Sequence, residues 1–270
     1  MTQPLPYAVN LSILFTELPL LERPAAAKAA GFDAVEFWWP FGANATPADD
    51  EVEAFVTAIE QADVQLIGLN LFAGDMPAGE RGLVSWPGRE QEFADSVAVA
   101  VAIGRRLGCK AFNALYGLRL EGQEPGAQDE VAIRNLALAA RSIGEIGGTV
   151  LLEPVSGIAT YPLKTAEDVV GVLDRVREAQ GATNIGLLAD IYHLTVNGDD
   201  LDKVIEAHAD RIAHVQFADA PGRHEPGTGE LDIFGYINKI GAAGYRGYVA
   251  AEYAPSGATA DSFAWLPAAR

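Results

Sequence analysis

The chain has 270 residues, 49% of them hydrophobic, and carries 19 basic against 37 acidic side chains for a formal net charge of −18. That length and apolar content suit a globular protein with a sizeable core, and the excess of acid repels phosphate backbones and anionic lipid, which sets aside nucleic acid and membrane surfaces as partners. The single cysteine, Cys109, cannot form an internal disulfide; the start "MTQPLPYAVNLSILF" has no leader pattern and no later segment offers about 18 uninterrupted apolar residues, so the expected location is cytoplasmic.

Along the chain, short β-rich runs alternate with alanine-rich helical patterns. Strands are predicted at 8–12, 34–38, 65–71, 111–115, 150–153, 185–190, 212–217 and 248–252. Between them lie helical stretches such as "LLERPAAAKAAG" (20–31) and "FADSVAVAVAIGRRLG" (93–108), each ending on a glycine that suits a left-handed cap. Eight βα units in about 250 residues predict an α/β protein with a single (β/α)8 TIM barrel. No linker divides the chain, so one domain over 1–270 is expected, and no G-x-G-x-x-G follows a strand to favour a doubly wound sheet.

A barrel of this kind works at the C-terminal ends of its strands. There the sequence places Glu153 after strand five ("LLEPVS"), Asp190 after strand six ("LLADIYH"), Gln216 near the end of strand seven ("AHVQFAD") and Glu252 at the end of strand eight ("VAAEYAP"). Three carboxylates gathered at one rim would repel each other by roughly several kcal/mol per pair unless protonated or bridged. One divalent cation removes that conflict, and an all-oxygen ligand set favours Mg²⁺ or Mn²⁺. The competing explanation is that each acid caps a helix or pairs with a base at the mouth. Glu153 and Glu252 come from strands five and eight and would face each other across the ion, and such a pair can take a proton from one substrate carbon and return it to the next, through an ene-diolate held by the metal. That is aldose–ketose isomerisation or epimerisation.

His193, three residues after Asp190, is a candidate donor to a substrate oxygen or a prop for a ligand, and His214 points to the same side of strand seven as Gln216. His208 is expected at the surface. Two glycine-rich loops, 70–90 and 218–232, sit on the predicted active face, and their Arg81 and Arg223 are placed to grip an anionic substrate. Ion pairs to Glu80 and Glu225 within the same loops are the alternative. Trp38 and Trp39, beside Glu36 in "VEFWWPF", are expected to serve mainly as aromatic packing.

The segments "LEPVS", "ADIYH", "HVQFADAPGRHEPGTGE" and "AEYAP", with "NLSILF", "VEFWWPF" and "AGDMPAGERG" upstream, resemble the hydroxypyruvate isomerase family of xylose-isomerase-like barrels over nearly the whole chain. The resemblance implies conversion of hydroxypyruvate to tartronate semialdehyde, with Glu153 and Glu252 as the acid/base pair and Glu153, Asp190, Gln216 and Glu252 as a divalent-metal site. The chain departs from the family pattern at Ser156, Met76 and Ala254, where asparagine, tryptophan and lysine are common. The partner expected is therefore a small anionic hydroxy-oxo acid, and barrels of this sort often form homo-oligomers. A 2-oxo-tetronate isomerase, a ketose 3-epimerase and a dehydratase are the rivals on the same barrel; a non-catalytic sugar-acid binder and an apurinic-site nuclease are those of another class. Few histidines and the acidic charge weigh against the nuclease.

Overall fold

The computed structural model describes residues 4–266. Strands β1 (Tyr7–Asn10), β2 (Ala34–Phe37), β3 (Gln65–Asn70), β4 (Ala111–Asn113), β5 (Thr149–Leu152), β6 (Ile185–Asp190), β7 (Ile212–Phe217) and β8 (Val249–Ala251) pair in chain order, all parallel. β8 pairs back onto β1, so the sheet closes and has no free edge. All eight predicted strands are present. The main differences lie at the ends: β5 and β8 stop one residue before Glu153 and Glu252, which step out just past the paired segments, although Glu252 N–H still donates to Phe217 O at 3.0 Å.

Helices α1 (Arg23–Ala29), α2 (Asp49–Gln61), α3 (Glu90–Leu107), α4 (Pro125–Gly144), α5 (Ala166–Gln180), α6 (Ile191–Asn197), α7 (Leu201–His208) and α8 (Ile233–Ala242) surround the sheet. Local chemistry sets their ends. Pro24 and Pro125 lie in the first turns of α1 and α4, where a missing N–H costs nothing. Thr165 and Asp168 form a capping box on α5, and Gly108 ends α3 at φ 76°. The predicted 20–31 helix is shorter than expected because its start, Leu20–Glu22, is a separate 3-10 turn ahead of Pro24.

Side-chain alternation organises the inside of the barrel. Ala8, Ala34, Ile67 and Ala250 form a small, buried apolar cluster. Two residues further along β1 and β2, and just past β8, stand Asn10, Glu36 and Glu252, which alternation puts on the same side of their strands. A polar layer thus rests on an apolar plug of small side chains. Outside the sheet, the helices bury one large core that includes Phe37, Phe55, Phe93, Phe112 and Phe217. Cys109 lies in this core, fully buried, and burial pushes its thiol up to about 12.

The β3–α3 loop is pressed against the β4 end at Gly82. This residue has φ +105°, and a Cβ would lie 1.9 Å from Leu115 O. Gly82→Ala is expected to lower stability by at least about 1–3 kcal/mol from backbone strain alone, visible as a lower thermal midpoint. An unchanged midpoint would mean that the loop yields without cost.

Candidate active site

Strand ends bring the predicted acids together in buried positions. Glu153 follows β5, and its Oε1 accepts from Asn113 Nδ2 of β4 at 2.6 Å. Burial, then the charges of Glu252 and Asp190, hold its carboxyl well above the usual range. Asp190 ends β6 and caps α6: Oδ1 accepts from the N–H groups of Tyr192 (2.8 Å) and His193 (3.2 Å). Glu252 Oε1 accepts from Trp38 Nε1 (2.7 Å), Asn10 Nδ2 (3.0 Å) and Gln216 Nε2 (3.3 Å), while Oε2 meets Arg223 Nη2 at 2.5 Å. Burial pushes the Glu252 carboxyl up to about 8; Arg223 opposes the shift, and Asp190 and Glu36 add to it.

A metal could be held here. Ligand atoms of Glu153, Asp190 and His193 lie within 4.8 Å of one another, all buried. Gln216 and Glu252 stand beside this group, bonded to each other. Gln216 is in register with Asp190 across β6 and β7. Two buried acceptors, Asp190 Oδ2 and Gln216 Oε1, have no hydrogen-bond partner among the described residues. Unclaimed buried oxygens cost about 1–3 kcal/mol each, and a hard cation is a natural partner for them. The donor chemistry therefore fits a divalent ion.

His193 is buried, and burial lowers it to about 4, so the ring is neutral near pH 7. The Ser156 N–H donates to its Nδ1 at 3.1 Å, with Ser156 Oγ 2.7 Å away. An accepting Nδ1 leaves the ring proton on Nε2, 3.7 Å from Asp190 Oδ2. His193 thus offers a donor to the centre, which suits a substrate oxygen better than a metal.

The arginines make neither of the pairs that sequence proximity suggests. Arg223 turns from Glu225 to Glu252, with Asp190 Oδ2 at 3.9 Å and the Tyr192 ring below its guanidinium; its buried Nε has no partner among the described residues. Its loop is pinned by Asp219, whose carboxylate accepts from the backbone N–H groups of Ala220, Gly227, Gly229 and Leu231. Arg81, although adjacent to Glu80 in the chain, turns to backbone: its Nη1 donates to the carbonyls of Met76 (2.7 Å) and Glu80 (2.6 Å). The Glu80 carboxylate pairs instead with Arg89. Arg81 and Arg23 line a cavity of about 420 Å³ together with Trp38, Trp39 and Met76.

Several polar partners are additional to those expected. Asn10 and Asn113 end β1 and β4 and hold the two glutamates, Glu36 lies within the polar layer, and Trp38, expected mainly to pack, donates to Glu252. Trp39 does pack, edge-on against Phe41 and Phe72. His214 meets Glu36 at 2.7 Å, inside the barrel. His208 is half-buried at the end of α7 and contacts Glu167 rather than standing free at the surface.

The family model for the xylose isomerase-like TIM barrel matches residues 24–269. A Streptomyces coelicolor protein named "Putative hydroxypyruvate isomerase" is 51% identical over 266 residues, covering 97% of this chain and 95% of that protein. The hydroxypyruvate isomerase of Escherichia coli is 33% identical, with 96% and 97% covered. The 2-oxo-tetronate isomerase of Cupriavidus necator is 32% identical, with 96% of each covered. Among solved structures, an AP endonuclease, family 2, from Brucella melitensis superposes with a TM-score of 0.88 at 35% identity, covering 99% of this chain and 100% of that one. No described helix is long and apolar enough to cross a membrane. With fold, strand-end acids and full-length similarity in agreement, the chain belongs to the hydroxypyruvate isomerase family of xylose isomerase-like TIM barrels, a family of isomerases.

Proposed function

We propose that the protein isomerises a small hydroxy-oxo acid, hydroxypyruvate first, to the corresponding aldehyde acid, tartronate semialdehyde. The observation that carries this reading is the pair of buried glutamates, Glu153 and Glu252, both pushed toward the protonated form and each held by an amide from a neighbouring strand. Carboxyls held toward the protonated form suit a transfer in which one glutamate, once ionised, takes the C3 proton, the other delivers a proton to C2, and the C3 hydroxyl proton passes to the C2 oxygen. Glu153, Asp190, Gln216 and Glu252 would hold one divalent ion, Mg²⁺ or Mn²⁺. Bound there, such an ion draws electron density from the substrate's oxygens and makes the carbon acid easier to ionise.

The remaining residues bind and orient. His193 Nε2–H would donate to a substrate oxygen, fixed in direction by Ser156 on the other side of the ring. Arg223 has a buried Nε, without a partner among the described residues, to offer a carboxylate, and Arg81 lines the cavity beside Trp38, where the substrate's far end would lie. For Arg81→Ala, KM should rise about tenfold with kcat nearly unchanged, the signature of lost uniform binding. A fall in kcat with KM unchanged would move Arg81 out of the binding role.

A four-carbon 2-oxo acid is the second reading, favoured by a similarity to the Cupriavidus enzyme (32%) that nearly equals the similarity to the Escherichia coli hydroxypyruvate isomerase (33%). The nuclease activity named for the Brucella structure fits poorly, because a net charge of −18 opposes a phosphate backbone. Proton exchange in D₂O, followed by NMR on hydroxypyruvate, 2-oxo-tetronate and neutral ketoses with and without Mn²⁺, decides among them. The expected result is cation-dependent exchange at C3 of an acid. Turnover of neutral ketoses alone would overturn the acid, and exchange that ignores the cation would overturn the metal.

A further inference from the structure

Glu36 is 3% exposed, yet nothing in the proton transfer calls for it. It sits on β2, directly opposite Asn10 in the β1–β2 register. Its Oε1 accepts from Asn10 Nδ2 at 2.9 Å and from Gln216 Nε2 at 2.5 Å; its Oε2 meets His214 Nε2 at 2.7 Å. Both amides then use the same NH₂ group to reach Glu252 Oε1. Two amide groups thus bridge Glu36 to Glu252, with Glu36 at the far end of each.

This arrangement solves a specific problem. A side-chain amide can present either its oxygen or its NH₂ to the same spot with little difference in shape, and the wrong choice here would aim a donor where a cation held beside Glu153 and Asp190 needs an oxygen. Because Glu36 and Glu252 both take hydrogens from Gln216 Nε2, the amide cannot turn over without losing both, and its Oε1 is left as the free acceptor described above. The sheet makes room for the carboxylate: Gly68 is paired with Glu36 on β3, and a Cβ there would come within 3.1 Å of Glu36 Oε2. Burying a carboxylate is costly without such bonds, and an apolar side chain would fill the space at lower cost.

We propose that Glu36 is a positioning residue: it fixes the amides of Asn10 and Gln216 so that their hydrogens serve Glu252 and Gln216 Oε1 remains an acceptor for the bound cation. The cation half of this assignment rests on the function proposed above; the amide half does not.

The test compares wild type with Glu36→Gln, which keeps shape but offers an NH₂ where a second amide must donate, and with Gly68→Ala, which crowds Glu36 Oε2. Three measurements are made on each: the thermal midpoint, Mn²⁺ affinity by titration calorimetry, and the side-chain amide signals of Asn10 and Gln216 by NMR. The expected result for Glu36→Gln is a midpoint near wild type, Mn²⁺ affinity reduced tenfold or more, kcat reduced more than KM is raised, and amide protons that exchange faster with solvent. Gly68→Ala should move the same readouts in the same direction by less, and it carries the test if Glu36→Gln does not fold. Unchanged amide exchange in the folded variants would overturn the proposal, as would losses in affinity that merely follow the midpoint. Should wild type itself bind no Mn²⁺, the metal reading and the cation half fall together, and the amide signals alone decide the orientation of Asn10 and Gln216.

Discussion

Replacing Glu252 or Glu153 with glutamine is expected to cut kcat by about 10²–10⁴-fold each while leaving the barrel folded. The amide has the shape of the carboxyl but cannot carry the proton, so the loss should fall on kcat and leave KM within a few-fold. Stability supplies a second check, with a sign fixed by linkage. The Glu252 carboxyl titrates near 8 in the cation-free fold and near 4.5 in the unfolded chain. Between those values the native state holds a proton that the unfolded state has lost, so this group makes the native state less stable as pH rises from about 4.5 to 8. Glu252→Gln removes that slope. Its stability relative to wild type should therefore improve across this window and level off above pH 8, read by denaturant titrations at several pH values. Full activity in either variant would remove the glutamates from proton transfer.

Cation binding should be the other large effect. Mn²⁺ added to the chelator-stripped protein at pH 7 is expected to raise the thermal midpoint, by about 2.7 kcal/mol of stabilisation at a hundredfold excess over Kd, and to restore turnover. Because Glu153 and Glu252 are held toward the protonated form by burial and by neighbouring acids, the ion must also displace protons. The binding heat should then vary with the ionisation enthalpy of the buffer, and the protons released should decline as pH passes about 8. A heat independent of buffer would show that the carboxyls are already ionised, and a midpoint indifferent to Mn²⁺ and to chelators would argue against a cation site.

The barrel was readable from the sequence because its signals are local: β6 is a continuous apolar run, and α3 ends on a glycine where its pattern ends. The strand-end acids were readable for a related reason, since an aspartate after five apolar residues is conspicuous. Asn10 and Asn113 end equally buried strands, but asparagine there reads as the start of a turn, and β4 has only three paired residues. Long-range pairing sets the remaining contacts. The alternative pairing of Arg223 with Glu225, two residues away, gives way to a partner 29 residues on, just past the adjacent strand. The orientation of His193 depends on Ser156, 37 residues earlier, a contact that exists only once β5 and β6 are side by side.

Asp190 joins two demands in one side chain: Oδ1 ties down the first turn of α6, which carries His193, while Oδ2 faces the centre. Asparagine cannot meet both. With its oxygen toward the helix it aims an NH₂ into the centre, and with its NH₂ toward the helix it opposes two N–H donors. Selection for a correctly built helix and selection for chemistry therefore act on the same atoms. In a descendant that lost the reaction, Asp190 would persist as long as α6 kept its place, making it a poor marker of retained activity.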